Sequence, residues 1–213
     1  MAIFKSALFT KLRKSVGNIT MYELNGEDII RGKYWKNDRK SPAQLAQRAR
    51  MIKVKKLAYD LINALCIGFP AKNYATSINR FVSRNIGLMN PDKNYCVTYD
   101  VTQLQLSSGE LLTPQVTAII NREAKTVTFT QERQPLRPLA PDEDRVYGIV
   151  WGKESRELCA YPLQLRCEPG TTVVELGEDI LEYPLEIYAF TVSENGKKTS
   201  KTIWITGEHG NQE

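Results

Sequence analysis

The spacing of apolar residues changes once along this chain, near Tyr95, and the change divides the folds open to it. Before that point Met51, Val54, Ala58, Leu61 and Leu65 recur at intervals of three and four, which places them on one helix face. Ser41-Pro42-Ala43-Gln44 opens this helix. Ser41 can cap it, Pro42 suits the first helical position because its missing N–H is no loss there, and Gln44 can reach back to complete a capping box. Gly68-Phe69-Pro70 ends it, and a second helix is predicted over 72–86, with Ile78, Phe81, Val82 and Ile86 inward and Gly87 as a stop. Ahead of both helices, residues 19–24 and 28–33 flank Asn25-Gly26, a pair that tolerates the positive φ angles of a two-residue hairpin turn.

Beyond Tyr95 the apolar residues alternate. Val116, Ala118 and Ile120 alternate with polar neighbours, as do Val127 and Phe129 after a turn at 122–124. Strand-like segments continue at 145–151, 157–164, 171–176, 184–193 and 199–206, with no helical stretch between them, and this pattern predicts an antiparallel β-sandwich. In the last hairpin, Asn195-Gly196 as a two-residue turn sets Glu194 opposite Lys197. That register puts Tyr188, Phe190 and Val192 on one core face with Ile203 and Ile205. It leaves Ala189, Thr191, Lys198, Ser200 and Thr202 toward water. The fold class expected is therefore α+β: an N-terminal β-hairpin plus two helices over 1–90, and an antiparallel sandwich over 91–213.

Charge divides the same way. Residues 1–90 carry 17 Lys and Arg against 5 Asp and Glu, whereas 91–213 carry 12 against 19. A basic module attracts polyanions over roughly a Debye length, about 8–10 Å at physiological salt. It can equally attract the acidic half of its own chain or of a second copy. Arg48, Arg50, Lys53, Lys55 and Lys56 cover the outer surface of the first helix, which reads either as a solvated face or as a row of phosphate-binding cations. Tyr34 and Trp35, set among lysines and arginines, are expected to anchor the hairpin onto the helices.

Two resemblances add to this reading. Leu181, Pro184, Tyr188, Phe190, Val192, Gly196 and Ser200 resemble the last two strands of a fibronectin type III or related immunoglobulin-like domain, in which the tyrosine packs at a corner near the start of the penultimate strand. The one strand tryptophan available to such a core is Trp151, later in the chain than that family places it. Gly17-Asn18, Tyr22, Gly26, Ile30-Arg31, Ser41-Pro42, Gln44, Gln47-Arg48, Gly68-Phe69 and residues 104–109 resemble an uncharacterised Bacteroidetes family of similar length, a domain of unknown function. That resemblance implies architecture and lineage but no mechanism. Capping and core packing leave Arg31, Gln47 and Arg48 unexplained.

No catalytic constellation accompanies these features. The single histidine, His209, lies in a polar tail, so a Ser-His or Cys-His nucleophile and a zinc site both lack ligands or bases. Gly196-Lys197-Lys198 lacks the glycine-rich loop that cradles phosphate. Acidic pairs such as Glu178-Asp179 and the run Asp142-Glu143-Asp144 fall in turn-like stretches. The four cysteines read as free thiols, Cys66 buried at the end of its helix, with Cys159 and Cys167 able to face each other across strands. No apolar run approaches the roughly 20 residues of a membrane helix, and the start of the chain lacks the order of a secretory signal. The expectation is a cytoplasmic, non-enzymatic interaction or structural and assembly protein, a phage or mobile-element component among its settings. It would bind a protein partner or itself, with no membrane role and no cofactor or metal. Nucleic-acid binding through the basic module is the alternative, and an enzyme a distant third. The candidate macromolecule-binding residues are Arg31, Arg48, Arg50, Lys53 and Lys56.

Overall fold

In the computed structural model, the structure describes residues 2–3, 14–24, 26–33, 40–177, 180, 183–205 and 208–209. Tyr34, Trp35, Asn25, Leu181, Glu178 and Asp179 lie outside them. The chain divides into two compact units, 1–41 and 42–213.

The first unit is a four-stranded antiparallel sheet of β1 (Ala2–Ile3), β2 (Lys14–Val16), β3 (Ile19–Leu24) and β4 (Glu27–Gly32), in the order β1-β4-β3-β2. Leu24 pairs with Glu27 across the turn, where Gly26 takes φ +83°, a left-handed conformation that side-chain-bearing residues rarely adopt. Ile29 is buried, whereas Val16, Ile19 and Leu24 are exposed.

The second unit has three layers. Helices α1 (Pro42–Asp60), α2 (Ile62–Gly68) and α3 (Tyr74–Asn85) form the first. The long helix predicted to reach Gly68 is interrupted at Leu61, whose N–H donates to the Leu57 carbonyl and whose carbonyl accepts from the Leu65 N–H. Asn73, rather than residue 72, opens α3, because its side-chain oxygen accepts from the Thr76 N–H at 2.9 Å. A short ladder of β5 (Asn90–Pro91) and β6 (Val97–Thr98) follows. Then come β7 (Val116–Asn121), β8 (Thr126–Gln131), β9 (Arg145–Gly152), β10 (Leu158–Leu165), β11 (Gly170–Glu175), β12 (Leu185–Val192), β13 (Ile203–Ile205) and β14 (Glu208–His209). One sheet has the order β10-β9-β12-β13, the other β11-β8-β7-β14, with β14 parallel to β7.

The first of these sheets is the middle layer, and its two faces close two cores. Ile149, Trp151, Tyr188, Phe190 and Val192 meet Val54, Leu57, Leu61, Leu65, Phe81 and Met89 from the helical side. Val146, Val150, Ile187, Ala189 and Ile205 meet Ala118, Ile120, Val127, Phe129 and Val174 of the other sheet. A strand covered on both sides needs apolar residues at successive positions, and β12 reads Ile187-Tyr188-Ala189-Phe190-Thr191-Val192. Close approach is built into the middle strand too: a Cβ on Gly148 would stand 2.8 Å from the Phe129 ring.

Four expectations need correction here. The chain divides after Ser41, not near Asn90, because the apolar faces of α1–α3 and of the middle sheet complete one core. Ala189, Thr191 and Ser200 face no water; all three are fully buried. The last hairpin keeps its predicted register only near the turn, where Ser193 pairs with Lys198 across a four-residue loop rather than a two-residue one. From there β13 carries one extra residue: Ser200 donates to Thr191, but Ile203, not Lys201 or Thr202, opposes Ala189. Ile203 and Ile205 therefore share a face with Ala189 and Ile187, and Trp204 lies opposite Tyr188. The extra residue, a β-bulge, frees Thr202, whose Oγ1 accepts from the backbone N–H groups of Leu106 and Ser107 at 2.9 and 2.8 Å. Cys66 is exposed on α2 rather than buried; all four thiols are free. Among the described residues no helix is long and apolar enough to cross a membrane.

Candidate functional site: a cationic cleft

A concavity of about 660 Å³ in the second unit opens between α3, the 108–110 loop and the 194–199 hairpin. Each wall is held by its own contacts. On α3, Ile78, Phe81, Val82 and Asn85 turn inward, which leaves Arg80, Ser83 and Arg84 on the outer side, exposed. Ser77 Oγ donates to the Phe69 carbonyl at 2.7 Å and Arg80 Nη1 to the Pro70 carbonyl at 2.8 Å, so the link from α2 is fixed against α3. Asn85, fully buried, clamps the Gln105 backbone through both ends of its amide.

The 108–110 loop lies flat on the hairpin. The Leu111 N–H donates to the Thr199 carbonyl, and a Cβ on Gly109 would meet that same oxygen at 2.0 Å, so no larger residue fits without moving the backbone. In the hairpin itself Gly196 takes φ +68°, and Asn195 Oδ1 accepts from the Lys197 N–H at 3.0 Å. This fixed turn presents Lys197 and Lys198 across the cleft from Arg80 and Arg84.

The cleft thus gathers four cations and one carboxylate, Glu110. Among the described residues no carboxylate lies within ion-pair reach of any of the four. Arg80 and Arg84 are four residues apart, about 6 Å along the helix axis, so both guanidinium groups address one stretch of an extended ligand. Ser83, Ser108 and Thr199 supply hydroxyl groups. By charge and directional N–H donation, such an arrangement is suited to an anion.

The residues expected from sequence are placed elsewhere. Lys53 and Lys56 share a smaller pocket of about 310 Å³ with Asp60, Tyr99, Trp151, Lys153, Glu154 and Arg156. Lys53 and Lys153 both lie over the Tyr99 ring, at 5.5 and 5.2 Å from its centre, and burial, then the charges of Asp60 and Glu186, pushes that phenol up. Arg50 is half-buried toward the core and Arg48 exposed, roughly 160° apart at the helix's 100° per residue, so the two do not share a face. Arg31 belongs to the first unit, its guanidinium 5.4 Å from the centre of the Tyr22 ring.

Lys197 and Lys198 carried a sequence signal, the Gly-Lys-Lys triplet, but a phosphate loop was the wrong context for it. Arg80 and Arg84 carried only an i, i+4 spacing, and nothing local ties them to a hairpin more than a hundred residues away. Among the described residues no group of three His, Cys, Asp or Glu side chains is placed to hold a metal ion. Comparison with family models, with curated proteins and with solved structures gives no match.

Proposed function

We propose that this chain is a non-enzymatic interaction or assembly protein that binds an anionic segment of a macromolecular partner in the cleft of Arg80, Arg84, Lys197 and Lys198. The observation that carries this reading is the absence of a carboxylate partner for any of the four among the described residues, on walls held by their own hydrogen bonds. Unpaired cations on a preorganised surface bind without losing an internal ion pair and without much ordering cost. Under the same proposal the scaffold is an immunoglobulin-like sandwich backed by three helices, of the Bacteroidetes lineage that the sequence resembles.

Binding of fluorescent poly-L-glutamate, measured by anisotropy across a salt titration, tests the reading. Affinity should fall steeply as salt screens the contact, and Arg84→Glu combined with Lys198→Glu should weaken it at least tenfold at low salt. Melting should stay within a few degrees, because exposed charges contribute little to folding. Equal affinity of the parent and the reversed variant would remove the cleft as the binding surface. Duplex DNA run in parallel weighs the nucleic-acid alternative, which a stronger and steeper salt dependence than that of polyglutamate would favour.

A further inference from the structure

Taken alone, the second unit is electrically balanced, with 20 Lys and Arg against 20 Asp and Glu over 42–213, yet its charges are segregated. Residues 42–90 carry eight cations and one carboxylate, while 167–196 carry seven carboxylates and no cation. The first builds the helical layer and one wall of the cleft; the second includes β11, which ends the sheet farther from the helices, but also β12 of the middle sheet and residues 194–196 of the hairpin beside the cleft.

Strand β11 has β8 on one side and, among the described residues, no strand on the other. Its backbone edge is flanked by Glu168 and Glu175, both exposed, and Val173 between them is 59% exposed. Neither glutamate has an ion-pair partner among the described residues. Exposed carboxylates keep such an edge from pairing with another strand, and their charge is opposite to that of the cleft.

We infer that the cationic cleft of one copy seats the β11 edge of a second copy, so that the chain associates head to tail. This rests on the reading of the cleft as a binding surface and names its occupant. Glu168 and Glu175 of a second copy bring two carboxylates to the four cations of the cleft. Cleft and edge are different surfaces, so the contact is heterologous and propagates into a ring or an open chain of copies rather than closing a two-fold pair.

Sedimentation velocity on the full chain, over roughly 1 to 100 µM, is the experiment. Near 0.01–0.1 M salt, where charges act over about 10–30 Å, the mass should rise with concentration; at about 1 M, where they act over about 3 Å, it should return to one chain. Arg84→Glu with Lys198→Glu removes the cleft's charge, and Glu168→Lys with Glu175→Lys reverses the edge. Each variant alone should remain a single chain at every salt concentration. Mixed in equal amounts, they should associate again, the intact edge of one variant seating in the intact cleft of the other. Circular dichroism melting checks that both variants are folded.

A parent that stays a single chain throughout, association that survives either reversal, or a mixture that fails to pair would each overturn the inference. Polyglutamate binding separates the two readings. If the parent binds it through Arg84 and Lys198 but does not self-associate, the cleft remains a binding surface and only its occupant is wrong. If it does neither, both readings fall.

Discussion

At the scale of single residues, the most constrained side chain is Arg166. It is wholly buried, donating to Gln134 Oε1 and to the Leu112 carbonyl, with its Nε 3.5 Å from Asp144 Oδ2. It therefore ties three loop segments together from inside the second unit. Burial raises the Asp144 carboxyl above the ordinary carboxylate range despite the attraction of Arg166, and burial also lowers the guanidinium. A buried pair of this kind recovers little net free energy but is costly to break: Arg166→Ala should destabilise by about 3–5 kcal/mol in urea unfolding, because it strands a buried carboxyl. The titration has a definite sign. Folded Asp144 holds its proton more tightly than the unfolded chain does, so the site favours folding below the ordinary aspartate pKa and that contribution is lost as pH rises through the raised value. Asp144→Asn removes it, and the variant's stability relative to the parent should improve between acid and neutral pH. A flat or falling difference in urea midpoints would contradict the assignment.

Among the elements, the last hairpin shows how far sequence carries and where it stops. Asn195-Gly196 located the turn correctly, because positive φ is a local demand that glycine alone meets cheaply. The bulge that follows was not legible, since it answers to Leu106 and Ser107, nearly a hundred residues earlier. The strand β12 was legible as apolar, but successive apolar residues were read as an alternating pattern with one wet face. The helices that cover that face lie outside any local window, and only the apolar run Ile187–Phe190 hinted at them. The candidate site was hidden for the same reason, its cations being paired by topology rather than by spacing. The bulge gives a prediction at this scale. Thr202→Val keeps shape but leaves the Leu106 and Ser107 N–H groups without their acceptor, and should cost about 1–3 kcal/mol for each donor left unsatisfied. Thr202→Ser should retain most of the lost stability; if Val and Ser behave alike, the hydroxyl is not what holds the loop.

For the whole molecule, the division of labour is between one small sheet unit and one large layered unit, and the basic helices belong to the latter. Removing residues 1–90 would strip the cover from Ile149, Trp151, Tyr188, Phe190 and Val192 at once. A fragment of 91–213 should then be insoluble or loosely packed, whereas 42–213 should melt cooperatively; a sharp, reversible transition in the shorter fragment would show the two cores to be independent.

The middle sheet, covered on both sides, also sets an order in time. The helices are complete at Asn85, but the strand that closes their core runs to Val192, roughly 100 residues later, which at about 5–20 residues per second leaves their apolar face open for roughly 5–20 s of synthesis. During that interval the eight cations and single carboxylate of residues 42–90 give the emerging segment the self-repulsion that keeps sticky chains apart. Ribosome-bound chains halted near residue 150 should accordingly bind a hydrophobic dye, and lose that binding once β12 has emerged; nascent chains that stain equally at both lengths would mean the helices find cover earlier. The charge proposed to meet a partner in the finished protein would then have served first as a spacer while the protein was being made.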